Sequence, residues 1–265
     1  MVSASLRHSE GRGFKSLSAH MELKIIYEDE NVLAVDKPPG IAVFPEGNPP
    51  VGGPPDGGEK TLIDYLIEKY PELKNIGKPS RYGIVHRLDK DTSGILLVAK
   101  NNDALKFLQG QFREKKVVKK YIALVIGEIK ENQGEIETLI GRAPKDRRKQ
   151  KVYLAGEPDS EGKREAKTYY KVLKRFKKYT LLGAELKTGR KHQIRCHLSW
   201  LHHPIAGDKL YGFKSQPLPK NLTRQFLHAS YLKINLPTKK EKELKSDLPE
   251  DLRKVITTIE NDNQK

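Results

Sequence analysis

The sequence predicts an α+β fold with many strands and few helices. Three observations carry this. Short runs rich in β-branched and aromatic residues recur along the chain, bounded by turn residues. Helical periodicity is confined to a few stretches. Strands and helices do not alternate regularly enough for a barrel of βα units. The 265 residues suffice for a substantial core. Lysine and arginine total 50 against 34 aspartates and glutamates, a net charge of +16. Such a surface seeks a polyanion, with nucleic acid the leading partner class. At 36% hydrophobic and 32% charged residues, the composition is that of a globular chain rather than a disordered one. No apolar run approaches the roughly 20 residues of a membrane-spanning helix. A single cysteine, Cys196, cannot form an internal disulfide. No signal peptide is readable, so the expected setting is the cytoplasm.

The elements follow in order. Residues 1–20 are Ser-, Gly- and Arg/Lys-bearing with three large apolar residues, and read as a disordered lead. Met21 is a possible second start. Leu23–Tyr27 and Val32–Val35 read as a hairpin across Glu28–Asn31, stopped by Lys37-Pro38-Pro39-Gly40. Residues 45–60 are Pro- and Gly-dense and read as a mobile loop within one domain spanning 21–260. Thr61 can cap a helix carrying Leu62, Tyr65 and Leu66, ended by Pro71. Gly94–Ala99 is a continuous apolar run, as in a strand buried on both faces. Asn102–Lys115 is amphipathic, with Leu105, Leu108 and Phe112 on one face. Tyr121–Ile126 is a second buried strand. Glu135–Ile140, Thr168–Leu173 and Thr180–Leu186 alternate as strands, with the basic loop Lys145–Lys151 between the first two. Ile194, Leu198 and Leu201 make a helical stripe within 191–202. Phe226–Ile234 reads as a late strand. Pro249 opens a last helix, and 261–265 is a polar tail.

Three segments concentrate chemistry. In His86-Arg87-Leu88-Asp89-Lys90-Asp91-Thr92-Ser93-Gly94, a charged loop is anchored by the strand that follows it. On the residues alone it reads equally as a site or as a solvated turn that satisfies its own backbone. Asp89 and Asp91 are two apart, and extended chain would aim both the same way. In Leu186–Leu198, a Gly189 turn feeds a helix whose first residues are basic or amide-bearing, a setting that favours phosphate. Arg195, one step round from buried Ile194, can reach a buried carboxylate; the alternative is a surface arginine. Lys119-Lys120-Tyr121 is either a core edge or an RNA contact, since aromatics interleaved with cations stack bases and bind backbone.

Other motifs fail. Gly53–Gly58 has P-loop spacing, but Glu59 stands where the lysine must be. His192 and His197 are five apart and do not share a helix face. With His202-His203 and one cysteine, no zinc set assembles, and no metal or cofactor is expected. Asn221-Leu222-Thr223 fits a glycosylation acceptor without meaning in the cytoplasm. Cys196 reads as a half-buried filler.

Taken together, the chain resembles the RluA-type family of RNA pseudouridine synthases from about Ile25 to Ile256. The resemblance rests on six segments in order: IIYEDENVLAVDKPPGIAVFP (25–45), HRLDKDTSGILLVAK (86–100), KKYIALVIG (119–127), LKTGRKHQIRCHL (186–198), HPIAGDKLYG (203–212) and LHASYLKINLP (227–237). The second and fourth are long and specific. The resemblance implies a mixed, largely antiparallel central sheet with flanking helices around an RNA-binding cleft. It implies isomerisation of uridine to pseudouridine without cofactor or metal. Ribosomal RNA is the first expected target and transfer RNA the second, and a monomer is expected. Asp89 matches the catalytic aspartate, Arg195 its basic partner, and Tyr121 the tyrosine near the uracil ring. Arg87 matches the arginine that helps take the target base out of the stack. His86, Thr92, Lys119, Arg190, His192 and Gln193 complete the expected RNA-binding set.

These residue types suit that chemistry. The N1–C1′ bond must break, the uracil must turn, and C5 must join C1′. An ionised Asp89 either attacks C1′ or removes a ribose proton; both routes need a carboxylate. Arg195 beside it would keep it charged and oriented. A base inside a helix is out of reach and must be flipped out. Two other classes compete. A non-catalytic RNA-binding protein on the same fold has no need of Asp89 among cations. A hydrolytic nucleosidase should offer a second placed acid, and none stands out.

Overall fold

The computed structural model describes residues 22–45 and 60–263. The lead at 1–20, most of the Pro/Gly-rich loop at 45–60, and the last two residues lie outside them.

The described chain builds one mixed sheet in the strand order β1-β2-β3-β9-β4-β8-β7-β5-β6, with β10 paired to β9. β1 (Lys24–Glu28) and β2 (Val32–Lys37) form the expected hairpin. Asp29 makes its turn, its Oδ1 accepting from the backbone N–H groups of Asn31 and Val32 at 2.8 and 2.7 Å. β3 (Ser93–Ala99) pairs antiparallel with β2 and is buried along its whole length. α1 (Leu62–Lys69) and α2 (Asn102–Arg113) cover this half, sinking Leu62, Ile63, Leu66, Ala104, Leu105 and Leu108 into its core. α1 stops before Pro71, which opens a short 3₁₀ turn. α2 starts where Asn101 Oδ1 accepts from the Ala104 N–H at 2.8 Å.

The second half is antiparallel throughout, in the spatial order β4 (Val118–Ile126), β8 (Tyr179–Leu186), β7 (Arg164–Phe176), β5 (Gln133–Arg142) and β6 (Gln150–Tyr153). α3 (Gln193–Trp200) and α4 (Glu250–Asn263) contribute Ile194, Leu198, Leu252, Val255 and Ile259 to a second core. β9 (Leu227–Asn235) joins the halves. It is antiparallel to β4 and parallel to β3, where Ser93–Gly94 meets His228–Ala229. β10 (Glu241–Lys245) folds back on its far end.

Several elements differ from expectation. β6 takes the last two residues of the basic loop Lys145–Lys151, so only its first part is loop. α3 begins at Gln193, because His192 is in the left-handed region at φ 55° and marks the helix boundary. α4 carries on through 261–263, into the stretch that reads as polar tail. Cys196 is buried rather than half-buried, packed with Ile140, Val152, Ala166 and Tyr211.

The seam of the two halves positions the site. Gly94 adopts φ +114°, and a Cβ there would lie 2.2 Å from the Ala229 carbonyl oxygen. Only glycine lets β3 approach β9 this closely. On the other flank of β9, the register with β4 shifts between Lys120 and Tyr121. Such a bulge re-aims a side chain, and Tyr121 packs against both cores at the seam.

Candidate active site

A cavity of about 340 Å³ opens at this seam, within the size range of small-molecule sites. Val85 and Leu88 line it from the first half, and Leu186, Ile194 and Leu227 from the second. All ten residues singled out by sequence face it: His86, Arg87, Asp89, Thr92, Lys119, Tyr121, Arg190, His192, Gln193 and Arg195.

The loop that carries Asp89 is tied from Asp89 to Ser93. The Thr92 N–H donates to the Asp89 carbonyl at 3.1 Å, closing a tight turn. The chain here is therefore not extended, and Asp89 and Asp91 do not point alike; Asp89 lines the cavity and Asp91 does not. The Lys90 carbonyl accepts from the Gly40 N–H at 3.0 Å and from Lys37 Nζ at 2.9 Å. The Asp91 carbonyl accepts from Arg224 at 3.1 Å. Thr92 Oγ1 accepts from Gln225 Nε2 at 2.8 Å, and Ser93 Oγ from Arg224 at 3.2 Å. Lys37 is fully buried. Burial pushes its ammonium down to about 7, against the pull of Asp91 and Asp89. Its remaining hydrogens go to the Pro38 and Ile41 carbonyls at 2.9 and 2.8 Å. Thr92 thus serves in this structure to fix the loop as well as to line the cavity.

The opposite wall comes from the end of β8 and the start of α3. Gln193 is buried and knots the turn: its Oε1 accepts from Thr188 Oγ1 and the Arg190 N–H, and its Nε2 donates to Thr168 and the Lys167 carbonyl. Deeper still, His197 lies between Thr168 and Thr138 at 2.9 and 3.0 Å. Burial pushes it down to about 4, so it is neutral near pH 7.

Arg195 joins the two walls. Its Nη1 donates to Asp89 Oδ2 at 2.8 Å, while Nε and Nη2 donate to the two oxygens of Asp208 at 2.7 and 2.9 Å. The Asp208 side chain is 0% exposed and that of Asp89 19%. Burial works against the charge of Arg195, but Asp208 and then Asp89 outweigh it and push the guanidinium up. Burial likewise opposes the charge of Asp208; Arg195 and the N–H groups of Tyr211 and Leu210 outweigh it and hold the carboxyl below its ordinary range. Both groups are charged.

His192 Nε2 lies 3.8 Å from Asp89 Oδ1, and its Nδ1 is 3.0 Å from Tyr211 Oη. Burial pushes His192 down although Asp89 opposes it, so the ring is neutral near pH 7. Burial and the charge of Asp89 push the Tyr121 hydroxyl up, and it stays protonated. Lys119 is buried, donates to the Thr188 carbonyl at 3.3 Å, and is pushed down to about 8 by burial and then by Arg190 and Lys187. His86 stacks on Phe112 with centroids 4.8 Å apart and accepts from the Leu97 N–H at 3.1 Å. Burial, with Lys119, pushes it down to about 3. Arg87 is exposed at the mouth, its guanidinium 5.0 Å from the Phe44 ring centroid. Arg190 donates through Nε to the Glu165 carbonyl at 2.8 Å.

Sequence reasoning missed Asp208, Tyr211 and Phe112 as parts of this arrangement. The first two sit in the quoted segment HPIAGDKLYG, and Phe112 reads only as a core position of α2. Among the described residues, Asp89 is the only carboxylate that lines the cavity. A lone carboxylate pinned by an arginine, beside a protonated tyrosine and ringed by cations, can act on an anionic substrate as nucleophile or base without activating water.

A family model described as RNA pseudouridylate synthase matches residues 31–200. An uncharacterised RNA pseudouridine synthase of Aquifex aeolicus is 41% identical over 249 residues, covering 91% of this chain and 74% of that one. Ribosomal large subunit pseudouridine synthase D of Pseudomonas aeruginosa is 38% identical over 259 residues, covering 94% and 75%. Among solved structures, human RNA pseudouridylate synthase domain containing 4 superposes with a TM-score of 0.69 at 25% identity, covering 89% of this chain and 93% of that one. Fold, cavity and relatives agree: the chain belongs to the RluA-type RNA pseudouridine synthases, isomerases that convert uridine in RNA to pseudouridine.

Proposed function

We propose that this synthase modifies uridines of ribosomal RNA in the cytoplasm, with Asp89 as its catalytic carboxylate. The observation that carries the assignment is that Asp89, held by Arg195, is the only carboxylate facing the cavity among the described residues. The ribosomal target is supported by relatives whose names specify the ribosomal large subunit.

The residues divide the work as follows. The flipped uridine enters the cavity, and Arg87, exposed at the mouth beside Phe44, fills the vacated space in the RNA. Lys119, Arg190 and Lys191 line the cavity where the backbone phosphates would pass. Asp89 attacks C1′ or removes a ribose proton, and the N1–C1′ electron pair leaves with the uracil. Tyr121, neutral and at the seam, keeps the detached ring in place while it turns. C5 then bonds to C1′, which breaks the Asp89–C1′ ester in the first route and, in the second, is accompanied by return of the proton from Asp89 to the ribose. The C5 proton departs and N1 gains a proton, so the atoms of uridine and pseudouridine balance and Asp89 ends as a free carboxylate. Among the described residues no second carboxylate lines the cavity. This favours recapture of the base over hydrolysis, which uses a paired acid to activate water.

Mapping pseudouridines in total RNA with and without the gene tests the target. Loss of modification at ribosomal uridines, restored by the wild-type gene and not by Asp89→Asn, is the expected result. Loss confined to transfer RNA would overturn the ribosomal assignment.

A further inference from the structure

Asp208 is the most deeply buried carboxylate near the site, yet it faces no substrate. Its two oxygens accept four hydrogen bonds: from Arg195 Nε and Nη2, and from the backbone N–H groups of Leu210 and Tyr211 at 2.9 and 3.0 Å. The segment that carries it is immobilised by backbone contacts. Ala206 N–H donates to the Leu124 carbonyl at 2.8 Å, and Phe226 N–H to the Ala206 carbonyl at 2.9 Å. Gly207, at φ +76°, leaves no room for a side chain, since a Cβ would lie 2.2 Å from the Arg224 carbonyl oxygen. The Tyr211 ring in turn lies under the Arg195 guanidinium, 5.1 Å from ring centroid to Cζ.

A buried ion pair is a poor source of net stability, because desolvating both charges offsets most of their attraction. What this pair supplies is orientation. An arginine whose Nε edge is free can take a neighbouring carboxylate two-pronged and draw it off the substrate. Here that edge is already filled, and Asp89 receives one contact, from Nη1 to its Oδ2, with its Oδ1 left toward the cavity. We infer that Asp208 is a positioning residue for the isomerisation: by occupying the Nε and Nη2 edge of Arg195, it sets the direction from which Asp89 is held. The inference rests on the assignment of Asp89 as the catalytic carboxylate.

The test is a double-mutant cycle on the single-turnover rate, with RNA binding measured in parallel. Asp208→Asn keeps the shape but turns an amide toward Arg195. It should slow the chemical step about 100-fold, the scale of a misplaced reacting group, with RNA affinity within about twofold of wild type, a change too small to matter in binding free energy. Arg195→Met should slow it similarly. The double variant should be no slower than Arg195→Met alone, because Asp208 then has nothing to orient; a purely structural role would give multiplied losses. If Asp208→Asn does not fold, the cycle is run with Asp208→Glu, which keeps the charge and displaces the guanidinium by a methylene, and the same non-additivity is expected. Multiplied losses, or Asp208→Asn at the wild-type rate while Asp89→Asn is inactive, overturns the inference. An active Asp89→Asn instead overturns the assignment beneath it.

Discussion

The polar residues behind the cavity are as informative as those that line it. His197 is completely buried and bonded to two threonines, and its pKa is depressed to about 4. The unfolded chain protonates this ring below its ordinary value of about 6.5, while the folded chain does not until about pH 4. The unfolded state therefore binds more protons in that window, and stability is lost as pH falls from 6.5 to 4. Replacing His197 by Asn should shallow the slope of unfolding free energy against pH there by up to about 1.4 kcal/mol per unit, one proton's worth. Denaturant titrations at several pH values measure it; an unchanged slope would mean that His197 is protonated in the fold. At this scale the sequence was legible where chemistry-bearing residues cluster along the chain, and the fold brings those clusters to one cavity. Asp89, Arg195 and Tyr121 announce themselves as charged or aromatic residues in dense segments. Asp208 does not, because a single aspartate among Gly207, Lys209 and Leu210 carries no pattern, and its importance lies in a contact thirteen residues back along the chain. Which of Asp89 and Asp91 lines the cavity was hidden for a similar reason: it turns on a backbone bond from Thr92 to Asp89 that residue spacing does not encode.

Among the elements, the long apolar or alternating strands were readable and the short polar ones were not. β3 shows as an unbroken apolar run because both its faces are covered. β10 is Glu-Lys-Glu-Leu-Lys, in which Leu244 alone is buried, and it exists as a strand because β9 offers it an edge. β6 has four residues and is set by its pairing with β5. The order of strands was equally hidden: nothing local says that β9 returns to lie between β3 and β4. Gly94 is the hinge of that junction. Gly94→Ala should destabilise the fold by about 2–5 kcal/mol, combining an unfavourable φ with a backbone clash. Equilibrium unfolding in urea checks this, and a loss under about 1 kcal/mol would mean that the two strands separate more easily than the geometry implies.

For the molecule as a whole, the net charge of +16 has the sign that an RNA-binding surface needs. The described residues contain no helix long and apolar enough to cross a membrane. RNA affinity should fall steeply with salt, with a logarithmic slope of roughly −0.7 to −0.9 per phosphate contact. Arg147 and Arg148 in the loop before β6 are both exposed, but Arg148 is already held by both oxygens of Asp146 at 3.0 and 2.9 Å. Arg147→Ala should therefore shallow the slope by about 0.7 to 0.9 and Arg148→Ala by less, both sparing the chemical step. A binding series across salt concentrations reads this directly, and a flat wild-type dependence would contradict the electrostatic footprint.

The central claim is that Asp89, fixed by Arg195 at the seam of the two half-sheets, performs the isomerisation. Its most direct measurement is single-turnover release of tritium from RNA carrying 5-³H-uridine, for Asp89→Asn and Asp91→Asn, each with its RNA affinity. Asn keeps the shape of Asp89 and removes its charge, so Asp89→Asn should bind RNA and release no tritium above background. Asp91→Asn, which lies outside the cavity, should keep most of the wild-type rate. Turnover by Asp89→Asn within about tenfold of wild type, a barrier change of only about 1.4 kcal/mol, would contradict the account.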